Sequence, residues 1–103
     1  MEIGTFDGIS CSLISALFPK AQVLTIDLPT TAEDFYNTYQ RSKTVDSFIE
    51  NRKFNLSKCK NILFKEMNSI LLSNETDPKY DLIWIDGAHG YPTIAIDIVN
   101  SLR

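Results

Sequence analysis

The chain has 103 residues, of which 44% are hydrophobic and 22% are charged, and its formal net charge is −3 at pH 7. A chain of this length forms one domain, and the composition is that of an ordinary globular protein. An acidic balance without a dense basic cluster argues against a nucleic-acid partner, because proteins that bind nucleic acids carry a basic surface. The nearest such group consists of Arg52, Lys53, Lys58 and Lys60. We expect these side chains to form a solvated helix face.

The sequence also lacks membrane and metal signals. No apolar run approaches the roughly 20 residues of a membrane-spanning helix, and the first residues lack the pattern of a secretory leader. We therefore expect no membrane partner and a cytoplasmic location. Cys11 and Cys59 lie far apart without a CxxC spacing, so we expect two reduced thiols and no metal site.

Strand-like and helix-like segments alternate along the chain, which predicts a parallel α/β sheet. Strands are predicted at 1–3, 23–26, 61–65 and 81–85. Helical segments are predicted at 9–18, from 31 onwards, as a short turn at 69–73, and after Pro92, with a polar loop at 74–79. The polar stretch 40–44 leaves open whether the second helical segment is one kinked helix or two shorter helices.

Apolar spacing predicts which residues of these segments pack together. Ile9, Leu13 and Leu17 are spaced four apart and predict a helix with one apolar stripe, and the same spacing recurs after Pro92. Trp84 lies inside an apolar strand and is expected to belong to the core.

The strongest ligand signal is a pair of glycines after the first strand, followed by an acid after the second. Gly4 and Gly8 permit a close approach of the backbone to a ligand, since glycine has no Cβ. Asp27 closes the second strand, where a carboxylate can accept hydrogen bonds from ribose hydroxyls, and ligands bind beyond the carboxyl ends of such strands. This arrangement predicts a nucleoside-containing cofactor. A tight strand-to-helix turn with a solvated Asp27 explains the spacing equally well.

Three segments also resemble the successive motifs of one enzyme family. EIGTFDG at 2–8, VLTIDLP at 23–29 and DLIWIDGAHGYPTIAIDI at 81–98 are similar to class I S-adenosylmethionine-dependent methyltransferases. The best match is the small-molecule O-methyltransferase-like group with an IDGxHxY signature. The resemblance implies a Rossmann-like parallel sheet of about four strands in the order 3-2-1-4, with helices on both faces. It also implies one S-adenosylmethionine-binding domain over residues 1–103 that lacks the C-terminal strands of the family.

The resemblance assigns cofactor contacts by position. The first loop would lie against the methionine part of the cofactor through Glu2, Gly4, Thr5, Phe6 and Gly8. Asp27 would bind the ribose hydroxyls and Leu28 would pack on the adenine, with Asn68 or Ser69 near the adenine edge. Asp86 would lie near the sulfonium and the methyl acceptor, which the family implies is a small molecule.

The expected chemistry is a direct displacement, in which the protein contributes proximity and alignment. Glu2 and Asp86 are therefore expected to stabilise the bound sulfonium rather than accelerate its reaction. His89 could act as a general base or could shape the loop, and Tyr91 could line the acceptor pocket or pack on the last helix. In some family members a carboxylate at the position of Asp86 helps to hold a divalent cation. The other carboxylate ligands of that cation follow a fifth strand, so no metal is expected here.

Two other interpretations remain open, and turnover by this chain alone is uncertain. A non-enzymatic fragment or interaction module would keep the fold and would form homo-oligomers through the unpaired edge of the fourth strand. An NAD-dependent oxidoreductase is the third interpretation. The GxxxG spacing disfavours it, because the dinucleotide fingerprint has a further glycine.

Overall fold

The computed structural model describes residues 1–38, 45–74 and 79–103. The strands are β1 (Glu2–Ile3), β2 (Val23–Asp27), β3 (Ile62–Glu66) and β4 (Trp84–Ile85). The helices are α1 (Ile9–Leu17), α2 (Glu33–Asn37), α3 (Val45–Leu56) and α4 (Thr93–Ser101), with a 3₁₀ turn at Ser69–Asn74. The predicted polar interruption at 40–44 and most of the predicted loop at 74–79 lie outside the described residues.

The strands form one all-parallel sheet in the order β3-β2-β1-β4, which confirms the predicted α/β fold and strand order. β2 and β3 pair over five residues each, from Val23 opposite Ile62 to Asp27 opposite Glu66. β1 contributes only two residues to its ladders with β2 and β4. One half of the sheet is therefore much more extensively paired than the other.

Helices lie on both faces of this sheet. The side chains of Glu2 and Ile3 point to opposite faces, because successive side chains alternate along a strand. Glu2 accepts a hydrogen bond from Ser10 on α1, and α1 contacts α3 through Ser12, which donates to the carbonyl of Asn55. On the other face Ile3 lies close to Gly87 and to Asp97 of α4. This second face carries the main apolar cluster, which consists of Ile3, Ile26 and Met67 with Met1, Leu24, Leu72, Ile83 and Ile85 packed against it.

The second helical segment consists of two helices. Thr38 ends α2 with an extended backbone, and α3 starts again at Val45. An aromatic pair connects the two helices, since Phe35 on α2 packs edge to face on Phe48 of α3. Phe35 also packs edge to face on its neighbour Tyr36 within α2.

The apolar stripe of α1 faces away from the core, although such a stripe ordinarily faces inwards. Ile9, Leu13 and Leu17 are all more than half exposed, and the buried residues of α1 are Cys11 and Ser15. Polar contacts determine this orientation: Ser10 donates to Glu2, Ser12 to Asn55, and Ser15 to the side chain of Asn61. The sheet side of this helix is therefore small and polar.

Two other sequence predictions were wrong. Trp84 is 52% exposed, because β4 is a two-residue edge strand and not the five-residue strand predicted at 81–85. Arg52 does not belong to a solvated helix face: its side chain is only 3% exposed. Both errors concern residues whose environment depends on which strand or helix lies beside them.

Among the residues that the structure describes, no helix is long and apolar enough to cross a membrane. Within the same ranges, no group of three or more histidine, cysteine or acidic side chains is placed to hold a metal ion.

Candidate functional site

A cavity of about 520 Å³ lies at the carboxyl ends of β1, β2 and β4, where ligands bind in open parallel sheets. Its size is that of a small-molecule site. Of the residues predicted to form a site, eight line it: Gly4, Phe6, Asp27, Leu28, Asn68, Ser69, Asp86 and His89. The remaining lining residues are Ile3, Ile26, Thr38, Met67, Gly87, Ala88 and Thr93.

Three of the predicted cofactor contacts, Glu2, Thr5 and Gly8, do not line the cavity. Glu2 faces α1 on the opposite side of the sheet, where its two carboxylate oxygens accept hydrogen bonds of 2.5 Å from Ser10 and Thr25. Thr5 lies 2.7 Å from the hydroxyl of Thr25 and donates to it, because the single proton of Thr25 is used by Glu2. These side chains form a buried polar network beneath the loop.

Burial has electrostatic consequences in this network. It raises the pKa of Glu2, while the hydrogen bonds from Ser10 and Thr25 oppose that rise. Burial is also the main reason that the pKa of the Cys11 thiol rises to about 12, and the neighbouring Glu2 carboxylate adds to the effect. Cys11 is therefore an unreactive thiol at neutral pH.

Gly4 brings the first loop into contact with the end of β4. Its φ is +98°, and a Cβ on this residue would lie 2.2 Å from the carbonyl oxygen of Asp86. Its N–H donates to the carbonyl of Ile26, which also accepts from Thr5. Only glycine fits here, because both the backbone conformation and the contact with Asp86 exclude a side chain.

Phe6 and Asp27 are joined directly. The backbone N–H of Phe6 donates to Oδ2 of Asp27 at 2.9 Å, and the N–H of Leu28 donates to Oδ1 at 2.8 Å. Phe6 adopts a left-handed backbone with φ of 49°, which is uncommon for a residue with a side chain. Its ring packs on Phe48 of α3 with a centroid separation of 5.2 Å. We call Phe6, Asp27 and Leu28 the β2 wall of the cavity.

Arg52 supports the β2 wall from behind. Its guanidinium lies 3.6 Å from Oδ2 of Asp27 and 3.6 Å from Oε1 of Glu66. The same group lies over the rings of Phe35, Phe48 and Phe64. The sequence analysis missed this role, although Arg52 follows Phe48 by four residues and therefore shares its helix face.

The opposite side of the cavity is the loop Asp86, Gly87, Ala88 and His89, which we call the β4 wall. Nε2 of His89 lies 3.1 Å from Oδ1 of Asp86, and the side chains are 68% and 52% exposed. Tyr91 is 88% exposed and is not part of the cavity lining, so it neither lines the pocket nor packs on α4. The wall thus offers one carboxylate and one imidazole at an open edge.

Asp97 lies behind the β4 wall. It is fully buried on α4, and neither carboxylate oxygen has a hydrogen-bond partner in the part of the chain that the structure describes. Oδ2 lies 3.5 Å from where a Cβ of Gly87 would be. Thr93, one helical turn before Asp97, does line the cavity. The sequence analysis gave Asp97 no role.

Comparison with known protein families, with characterised proteins and with solved structures found no match to this chain.

Proposed function

We propose that this chain is the cofactor-binding domain of an S-adenosylmethionine-dependent methyltransferase that acts on a small-molecule acceptor, with a Rossmann-like fold of the class I type. The observation that carries the proposal is the setting of Asp27. Its carboxylate lies at the carboxyl end of β2, is oriented by two backbone N–H groups, and lines a cavity of small-molecule size. A carboxylate held in this way can accept hydrogen bonds from the two hydroxyls of a ribose.

The other lining residues fit the remaining parts of this cofactor. Gly4 lines the cavity, so the backbone of the first loop can contact a polar chain of the cofactor. Leu28 and Met67 supply apolar surface for a purine, with Asn68 beside them to hydrogen-bond its edge. Asp86 lies on the opposite wall, where a carboxylate stabilises a bound cation.

S-adenosylmethionine supplies a methyl group on a positively charged sulfur, from which a nucleophilic acceptor can take it. The residues of this chain contribute binding and alignment, since a displacement depends on the position of its reactants. Asp86 favours the charged cofactor in the ground state, so its role is binding and not rate enhancement. His89 is placed beside Asp86 at the open edge, where an imidazole can accept a proton from an acceptor hydroxyl.

Calorimetric titration of the chain with S-adenosylhomocysteine tests the proposal. We expect binding by the wild type and an affinity about 10- to 100-fold lower in Asp27→Asn, because hydrogen bonds to a charged group contribute about 1.5–3 kcal/mol. Glu50→Gln removes the same charge from an exposed position on α3 and serves as the matched control. No binding by the wild type would reject the methyltransferase assignment, and binding of NAD in its place would favour the oxidoreductase interpretation.

An interaction module is the second candidate, and the exposed edge of the sheet is the observation that favours it. Trp84 and Leu82 are each 52% exposed, and within the described ranges no strand pairs with the outer edge of β4. Sedimentation velocity should then detect self-association that Trp84→Lys abolishes and that Tyr91→Ser, a change at another exposed aromatic residue, leaves intact. A monomer at every concentration would reject this candidate.

A further inference from the structure

We propose that Arg52 is a positioning residue for nucleoside binding: it acts through Asp27, whose carboxylate it holds in place for the ribose hydroxyls. The inference rests on the proposed function and adds to it a side chain that does not line the cavity.

Two acidic side chains meet at the ends of β2 and β3. Asp27 and Glu66 are opposite each other in the parallel register, so two carboxylates leave the sheet side by side. Arg52 lies 3.6 Å from an oxygen of each carboxylate. Its charge offsets their mutual repulsion, which would otherwise push the Asp27 carboxylate away from its neighbour.

Arg52 is itself held firmly by its surroundings. Its side chain is almost fully buried, and the guanidinium carbon lies 4.6 to 5.7 Å from the centres of three aromatic rings, which belong to Phe35, Phe48 and Phe64. A planar guanidinium stacks on such rings and can address two carboxylates at once, whereas an ammonium is a single point charge. Lysine at this position would therefore reproduce the charge and only part of the geometry.

Contacts continue from Arg52 to the cavity. The oxygen of Asp27 that Arg52 approaches, Oδ2, is also the one that accepts the N–H of Phe6. The ring of Phe6 packs on the ring of Phe48, and the guanidinium of Arg52 lies over the Phe48 ring. Arg52, Asp27 and Phe6 therefore form one closed unit, in which removal of the cation loosens the carboxylate and the loop together.

The ligand test compares adenosine with 2′,3′-dideoxyadenosine, which lacks both ribose hydroxyls. In Arg52→Met we expect adenosine to bind about tenfold more weakly, because a hydrogen bond to a misplaced carboxylate is lost, while dideoxyadenosine binds within about twofold of the wild type. Arg52→Lys should restore part of the difference. An equal loss for both ligands would mean that Arg52 only supports the fold, and would overturn the proposal.

A measurement without ligand separates this inference from the proposed function. In Arg52→Met the amide hydrogen of Phe6 should exchange about tenfold faster or more, since its acceptor is no longer held. The amide of Gly4 is the internal control, because it donates to the backbone carbonyl of Ile26 and not to Asp27. If both amides exchange faster by the same factor, or if neither changes, Arg52 does not position Asp27. If the wild type binds no nucleoside, but in Arg52→Met the amide of Phe6 alone exchanges faster, the proposed function is rejected. The inference that Arg52 positions Asp27 is then still supported.

Discussion

The two walls of the cavity differ in how firmly the fold holds them. The β2 wall continues from a ladder of five paired residues, and its Asp27 carboxylate has two backbone donors and a buried cation beside it. The β4 wall continues from a strand of two residues that pairs only with β1 among the strands described. Its two polar side chains, Asp86 and His89, pair with each other, and both are more than half exposed.

The difference indicates how the proposed function is divided between the two walls. A site held in its binding geometry before the ligand arrives avoids the entropic cost of ordering, which favours recognition of the nucleoside by the β2 wall. Segments with few buried contacts open at low free energy, and acceptor binding next to Asp86 would use such a segment. We therefore expect substitutions behind Asp27 to have the largest effects on nucleoside affinity. Substitutions near β4 should lower the free energy of unfolding less than substitutions behind Asp27.

Removal of one aromatic side chain from each side tests the difference most strongly. Phe35→Ala should lower the free energy of unfolding by about 3–5 kcal/mol, because Phe35 is fully buried beside Arg52. Trp84→Ala should lower it by about 1 kcal/mol or less, since half of the indole is already in water. Urea unfolding measures both. Equal losses would mean that Trp84 is buried in solution and that the β4 side is as well packed as the β2 side.

Gly4→Ala breaks the contact that joins the first loop to the β4 wall. The new methyl group would collide with the carbonyl of Asp86, and the left-handed backbone adds strain, so we expect a loss of about 3 kcal/mol or more. Gly90→Ala is the control in the same region, because among the described residues other than its chain neighbours no atom lies within 4 Å of its Cβ position. Thermal unfolding should place the control within about 0.5 kcal/mol of the wild type. Similar midpoints for the two variants would refute the close approach at Gly4.

Asp97, behind the β4 wall, and Asp27, within the β2 wall, should respond to loss of the carboxylate in opposite directions. Asp97→Asn should raise the free energy of unfolding at neutral pH by about 1–3 kcal/mol, because it replaces a buried carboxylate that has no hydrogen-bond partner among the described residues. Asp27→Asn should lower it, since Asp27 is paired with Arg52. Denaturant unfolding of both variants provides the comparison. A destabilised Asp97→Asn would show that this carboxylate acquires a partner in solution.

The pH dependence of stability should show a smaller contribution from Glu2. Burial raises the pKa of Glu2 above its ordinary value of 4.5, so the folded chain binds this proton more tightly than the unfolded chain does. The stabilisation from Glu2 is complete below pH 4.5 and is lost as the pH rises through the folded pKa. The unfolding free energy of the wild type minus that of Glu2→Gln should therefore fall from pH 4.5 upwards. A constant or rising difference would contradict the burial of this carboxylate.

The sequence predicts the parts of the site that depend on strand ends. Asp27 and Asp86 each follow an apolar segment, and in a parallel sheet the carboxyl ends of neighbouring strands meet, so their common cavity follows from chain position. The glycine loop is likewise local, because the φ of Gly4 and its proximity to the next strand both require a missing Cβ. The α/β class was predicted correctly from the alternation of strand-like and helix-like segments. The strand order was also predicted correctly, but from the family resemblance.

The remaining features depend on packing partners that one segment does not reveal. Arg52 is buried because α3 crosses the place where Asp27 and Glu66 meet, and neither the crossing nor the pairing is local. Trp84 is exposed because β4 is an edge strand. An apolar run has the same sequence pattern in an edge strand as in a central strand, so this exposure could not be predicted. The face on which Glu2 lies could not be predicted, because a two-residue strand offers no alternation from which to assign its faces.

Amide chemical-shift mapping with S-adenosylhomocysteine tests whether a nucleoside binds between the two walls through Asp27. We expect the largest shifts at the amides of Phe6 and Leu28, which donate to Asp27, and further shifts at Ala88. The indole N–H of Trp84, at the outer edge of the sheet, should not move. No shift at saturating ligand, or shifts confined to the neighbourhood of Trp84, would contradict nucleoside binding between the two walls.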